Sequence, residues 1–127
     1  MITGIGVDTV DIERFALWHT YTQKTLRRIF SQEEIDYCVA DVVKSAQRFA
    51  VRFAAREALY KALSSAYPHK KIPFLTLCAY TTIIKINSRP QIMMHKDFPF
   101  DLYDVIIHLS LSHSCTVATA FIVIEKK

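Results

Sequence analysis

The sequence predicts an α+β fold in which an antiparallel sheet packs on one long central helix, and three stretches carry that prediction. Residues 48–63 contain neither Gly nor Pro and are rich in alanine and other good helix formers. Residues 105–111 and 117–124 are dense in β-branched and aliphatic side chains and are joined by a short polar connection, as a hairpin requires. Residues 2–10 alternate with period two, placing Thr3, Ile5, Val7 and Thr9 on one face of a strand and Gly4, Gly6 and Asp8 on the other.

The remaining elements follow in order. Residues 17–29 read as a helix. Ser31 and Glu34 are spaced as a capping box, so a second helix should run from there to about Ala40. Residues 41–45 read as a connection into the central helix, and residues 64–73, with two prolines and a polar cluster, as the loop that leaves it. Residues 76–86 read as a strand, 87–90 as a turn and 91–94 as a short returning strand. Residues 96–103 fit a short helix or a loop equally well.

With 127 residues and 51% hydrophobic content, the chain supports one domain with a real core, spanning 1–127, and is too short for two ordinary ones. No apolar run is long enough for a membrane span and the first residues lack a signal-peptide pattern, so a cytoplasmic protein is expected. Cys38, Cys78 and Cys115 are odd in number and widely spaced, with no CxxC, so neither a disulfide framework nor a zinc site is suggested and they read as reduced, mostly buried thiols. A formal charge of +4 favours an acidic partner or substrate.

The central helix carries the informative side chains. At 100° per residue, Phe49, Phe53 and Tyr60 form an aromatic stripe, and Val51, Ala54, Ala55, Ala58 and Ala62 a small-residue stripe. Between them lie Glu57 and Lys61, at i and i+4. They form either an exposed ion pair of small worth or a site, with Glu57 as a hard oxygen ligand for a divalent metal and Lys61 as a cation for phosphate. The glycine face of the first strand is equally open: it makes room for the helix, or for a ligand near Asp8. Arg14, Lys24, Arg27 and Arg28 form the densest basic patch of the first third, suited to an acidic protein surface. Near the C-terminus His108, Ser110 and Ser112 share one strand face, as structural residues or as the wall of a polar cleft.

Four blocks in order, Gly4-Ile-Gly-Val-Asp8 through Arg14, Phe30-Ser-Gln-Glu-Glu34, Arg52-Phe-Ala-Ala-Arg-Glu57-Ala-Leu-Tyr-Lys61 and His108-Leu-Ser110-Leu-Ser-His113, resemble holo-acyl-carrier-protein synthase, the small class of 4′-phosphopantetheinyl transferases. The resemblance covers nearly the whole chain. It implies transfer of 4′-phosphopantetheine from coenzyme A to a serine of apo acyl carrier protein, releasing adenosine 3′,5′-bisphosphate, in fatty acid biosynthesis. It also implies that Asp8 and Glu57 hold Mg²⁺, that Glu57 and Lys61 act at the reacting phosphate, and that Lys61, Ser64 and His108 contact coenzyme A. Arg14, with the Lys24, Arg27 and Arg28 group, would face the carrier protein. A homotrimer with sites at its subunit interfaces is implied too. The sequence leaves open whether Glu57 or a water accepts the serine proton.

Three departures accompany the resemblance. The family's Gly-Thr-Gly loop after the lysine is replaced by Ala62-Leu-Ser-Ser-Ala66, Arg56 stands where Lys is common, and the turn at residues 87–90 lacks its usual Gly. The rival readings are a coenzyme A or nucleotide-binding module with impaired catalysis, and a basic nucleic-acid-binding domain. The second lacks interleaved aromatic and basic residues and helix-turn-helix spacing.

Overall fold

The only two glycines of the chain determine how its main layers meet. The computed structural model describes residues 1–127. Strand β1 (Ile2–Asp11) turns Gly4, Gly6 and Val10 toward a buried face, as the alternation predicts. Against that face lies the helix containing residues 48–63. A side chain at Gly6 would collide with the Ala58 carbonyl oxygen and stand 2.8 Å from the Ala62 nitrogen, and one at Gly4 would collide with the Ala62 carbonyl oxygen. Strand and helix backbones touch here because neither glycine has a Cβ and the facing helix residues are alanines.

The chain begins the sheet with β1 and then makes two 3-10 turns, Ile12–Phe15 and Trp18–Thr20. Helices α1 (Gln23–Leu26), α2 (Gln32–Val39), α3 (Val42–Ala66) and α4 (Phe74–Ala79) follow, then the hairpin of β2 (Thr81–Ile86) with β3 (Arg89–Met94), and last β4 (Val105–His113) and β5 (Val117–Lys126). The main sheet has the antiparallel order β1-β5-β4, with Asp8 opposite Ala120 and His108 opposite Val123. Its inner face buries Ala118, Ala120, Ile122 and Ile124 under α3, whereas Ile5, Val7, Ile106 and Phe121 remain exposed on the outer face. No helix is long and apolar enough to cross a membrane.

The capping box forms as expected, with Glu34 N–H donating to Ser31 Oγ and Ser31 N–H to Glu34 Oε1. Helix α3 is longer than its apolar stripe suggested. Asp41 Oδ1 accepts from Val43 N–H and Lys44 N–H, so the expected connection at 41–45 is the helix's capped first turn. Residues 17–29 are not one helix: Trp18 is drawn into an aromatic cluster, with ring centres 4.4 Å from Phe15 and 5.9 Å from Phe53. Thr22 then restarts the chain as the N-cap of α1. The expected strand at 76–86 is α4 followed by β2. Pro73 sits at the helix entry, where its missing N–H costs nothing, and Leu77 and Cys78 turn inward. Residues 96–103 form turns and no helix.

Cys38 and Cys78 are buried free thiols whose pKa values burial pushes up to about 12, so both stay neutral; Cys115 is exposed.

Candidate functional site

Close contact between β1 and α3 brings Asp8 to Lys61. The Lys61 ammonium donates to the Val7 carbonyl (3.0 Å) and lies 3.1 Å from Asp8 Oδ1. Lys61 therefore pairs across the layers, not with Glu57 on its own helix. The other Asp8 oxygen, Oδ2, is buried and has no hydrogen-bond partner. Burial, and after it the Asp8 carboxylate, holds Glu57 above the usual carboxylate range, while Lys61 and Arg14 pull in the opposite direction. Asp8 thus holds the ammonium while Glu57 feels the charges of both, and one buried Asp8 acceptor is left over. Such an acceptor needs a donor or a cation.

Arg14 stands at the rim of this site. Its guanidinium lies 4.8 Å from the ring centre of Phe53, which is one turn before Glu57. Lys24, Arg27 and Arg28 are exposed on α1 and the turn after it. Ser64 follows Lys61 within the helix, and its hydroxyl donates to the Tyr60 carbonyl (2.8 Å). Because α3 runs on to Ala66, the backbone after Lys61 stays helical. The only left-handed residues are Asn87 (φ 52°) and Ser88 (φ 64°), in the β2–β3 turn.

His108 is not brought to Asp8 within one chain. It faces outward on β4 with Ile106, Ser110 and Ser112, its Nε2 lying 3.0 Å from Glu125 Oε1, whereas Asp8 faces α3. One sheet separates them.

A second cationic feature escaped the sequence reading. Tyr37 is covered by Arg48 (3.9 Å from its ring centre), Arg52 (4.7 Å) and Lys85 (5.3 Å). A hydrogen bond from Lys85, together with the charges of Lys85, Arg48 and Arg52, lowers the Tyr37 pKa despite the opposing effect of burial. These residues, with Lys44 and His113, line a cavity of about 380 Å³ that has no carboxylate in its wall. The signal was present, since residues 44, 48 and 52 repeat every four positions. A helix counted only from residue 48 leaves Lys44 outside it and hides the stripe. Through Pro90 and Leu111 the cavity continues into a groove that reaches His108. Lys61 comes nine residues after Arg52, about half a turn around α3, so the cationic cavity and the Asp8 site lie on opposite sides of the helix.

Two carboxylates beside a lysine offer hard oxygen ligands and a cation, and the carboxylate-free cationic groove offers several cations to an anionic ligand. The family model for the 4′-phosphopantetheinyl transferase superfamily matches residues 4–118, and the chain belongs to that family. It is 38% identical to a holo-[acyl-carrier-protein] synthase of Ehrlichia ruminantium (strain Gardel), over 100% of this chain and 99% of that one. It is 35% identical to the synthase of Treponema pallidum (strain Nichols), over 98% and 97%. Among solved structures, a holo-(acyl-carrier-protein) synthase of Bacillus anthracis in complex with CoA (3′,5′-ADP) superposes with a TM-score of 0.77. Identity is 26%, with 100% of this chain and 99% of that chain covered.

Proposed function

We infer that this chain is a holo-[acyl-carrier-protein] synthase that moves the 4′-phosphopantetheine arm of coenzyme A to a serine of apo acyl carrier protein. The observation that carries the reading is the convergence of Asp8, Glu57 and Lys61 between β1 and α3, in a chain that aligns over its whole length with synthases of that name. The serine oxygen forms a new bond to the phosphorus attached to pantetheine. The anhydride bond to the adenosine-bearing phosphate breaks, and its electron pair leaves on adenosine 3′,5′-bisphosphate. The serine proton passes to Glu57, directly or through a water.

The donor set fits Mg²⁺: two carboxylates from separate elements, one of them with a buried and unpartnered oxygen. Asp8 and Glu57 would hold it, and when bound it would neutralise charge on the phosphate oxygens. Lys61, half-exposed, would turn its ammonium from Val7 and Asp8 toward the incoming pyrophosphate and the departing phosphate. Ser64 supplies a hydroxyl one turn on. Arg14, with Lys24, Arg27 and Arg28, offers cations to an acidic carrier protein.

The Tyr37 cavity has the charge to take the 3′-phosphate of coenzyme A. Both it and His108 lie on the far side of α3 or of the sheet from Asp8, so one coenzyme A can meet all of them only between two chains. That separation supports a cyclic homotrimer with shared sites, as does the exposed apolar face bearing Ile5, Val7, Ile106 and Phe121. Work in the cytoplasm, in fatty acid biosynthesis, completes the reading.

The helical backbone after Lys61 favours one alternative, a module that binds coenzyme A with impaired transfer. Intact mass of apo carrier protein after incubation with this chain, coenzyme A and Mg²⁺ separates the two. We expect the carrier to gain one phosphopantetheine arm. Coenzyme A binding without any mass gain would overturn the transferase reading in favour of the module.

A further inference from the structure

Glu34, only 2% exposed, is the carboxylate on which two arginines of α3 converge. Its Oε1 accepts from Ser31 N–H and Ser31 Oγ (3.0 Å each) and from Arg56 Nη2, while Oε2 accepts from Arg56 Nη1 (2.8 Å). Arg56 is wholly buried; it also donates to the Thr81 carbonyl (2.7 Å) and lies over the ring of Phe30. That pair already balances one charge with one. The second arginine, Arg52, brings its Nε to 3.9 Å from Glu34 Oε2. Arg52 belongs to the Tyr37 cavity: its Nη1 donates to the Arg48 carbonyl (3.1 Å) and its guanidinium covers the Tyr37 ring.

A buried ion pair is a weak source of stability, since well-packed apolar residues of similar volume do as well or better. What a fixed carboxylate provides is direction. Glu34 is itself fixed by a capping box and a two-pronged arginine, and it stands behind Arg52 while Tyr37 stands beneath it. We propose that Glu34 is a positioning residue for substrate recognition: it holds the Arg52 guanidinium against Tyr37 with its remaining donors toward the cavity, and so sets the preference for coenzyme A over 3′-dephospho-coenzyme A. This rests on the reading of the cavity as the 3′-phosphate site. Arg56 serves the same end at one remove, by fixing Glu34.

The test compares kcat/KM for coenzyme A and for 3′-dephospho-coenzyme A in the wild type, Arg52→Ala, Glu34→Gln and the double variant Glu34→Gln/Arg56→Met. The double variant removes both members of the buried Glu34–Arg56 pair together, leaving Arg52 without its carboxylate, and carries the test if the single one fails to fold. Arg52→Ala should reduce the preference for coenzyme A roughly tenfold, the size of one charge-assisted contact. Glu34→Gln and the double variant should reduce it roughly threefold to fivefold through KM, leaving kcat/KM for the dephospho substrate within about twofold of wild type. Equal losses on both substrates, or an unchanged preference where Arg52→Ala lowers it, would overturn the positioning role. An unchanged preference in Arg52→Ala would overturn the cavity assignment and the proposal with it, while the mass gain of the carrier would still uphold the transferase.

Discussion

Replacing Gly6 with alanine tests whether the closeness of β1 and α3 builds the site. The added methyl would run into the Ala58 carbonyl oxygen and stand 2.8 Å from the Ala62 nitrogen, where ordinary contact begins at 3.4 Å. Both neighbours are helix backbone, which cannot rotate away as a side chain would. Strand and helix must therefore part by on the order of 1 Å, at an overpacking cost of about 1–3 kcal/mol. For a chain of this size that is a fall in Tm of roughly 3–15 °C, so the protein stays folded at room temperature. Asp8 lies two residues along the strand from Gly6, and Lys61 beside Ala62, so the same parting lengthens the Lys61 contacts with Asp8 and Val7. A misplacement of that size can cost roughly 100-fold in rate. The assay is carrier-protein turnover at 25 °C alongside thermal unfolding by circular dichroism. A variant that loses stability as expected but keeps wild-type turnover would refute the argument that the glycines position Asp8.

Three further outcomes are expected. Because the folded-state pKa of Glu57 is raised, the group favours folding below its unfolded pKa, and that contribution is lost as pH rises through the folded pKa. Glu57→Gln should therefore raise the Tm of the metal-free protein at pH 7 but not at pH 3, while abolishing most turnover; an equal Tm change at both pH values would contradict the electrostatic origin. Arg14→Glu should raise KM for carrier protein with little change in KM for coenzyme A, and salt should weaken the wild type in the same way; equal changes for both substrates would point to loss of its packing on Phe53. Ser88→Gly removes a left-handed Cβ at φ 64° and should stabilise by about 0.5–1 kcal/mol after the added flexibility of the unfolded chain is counted. A higher urea midpoint at constant slope would confirm it, and an unchanged midpoint would mean that the turn bears no strain.

What the sequence made legible were features set by local pattern. Alternation placed Gly4, Gly6 and Asp8 on the helix face of β1, and the alanine stripe identified the surface that meets them. The Ser31 and Glu34 spacing gave the cap of α2. What it hid depended on contacts between distant segments. Trp18 broke the expected helix at 17–29 because aromatic neighbours outside that stretch, Phe49 and Phe53, draw it in. Residues 76–79 joined a helix in spite of their Thr, because the burial of Leu77 and Cys78 outweighs strand propensity. The i,i+4 spacing of Glu57 and Lys61 leaves an ion pair and a site both open, and only the fold shows that Asp8 from another layer takes the lysine. Tyr37, on α2, gathers cations from α3 and β2, which no single stretch of sequence reveals.

A site shared between two chains is tested most directly by mixing two inactive variants. Asp8→Ala and His108→Ala chains, unfolded together in equal amounts and refolded, should form mixed trimers in which an intact Asp8 meets an intact His108 at about one site in four. Turnover should recover to about a quarter of the wild-type value, while each variant refolded alone stays inactive. Mixed trimers that show no recovery, or a wild-type monomer fully active at nanomolar concentration, would contradict the shared site.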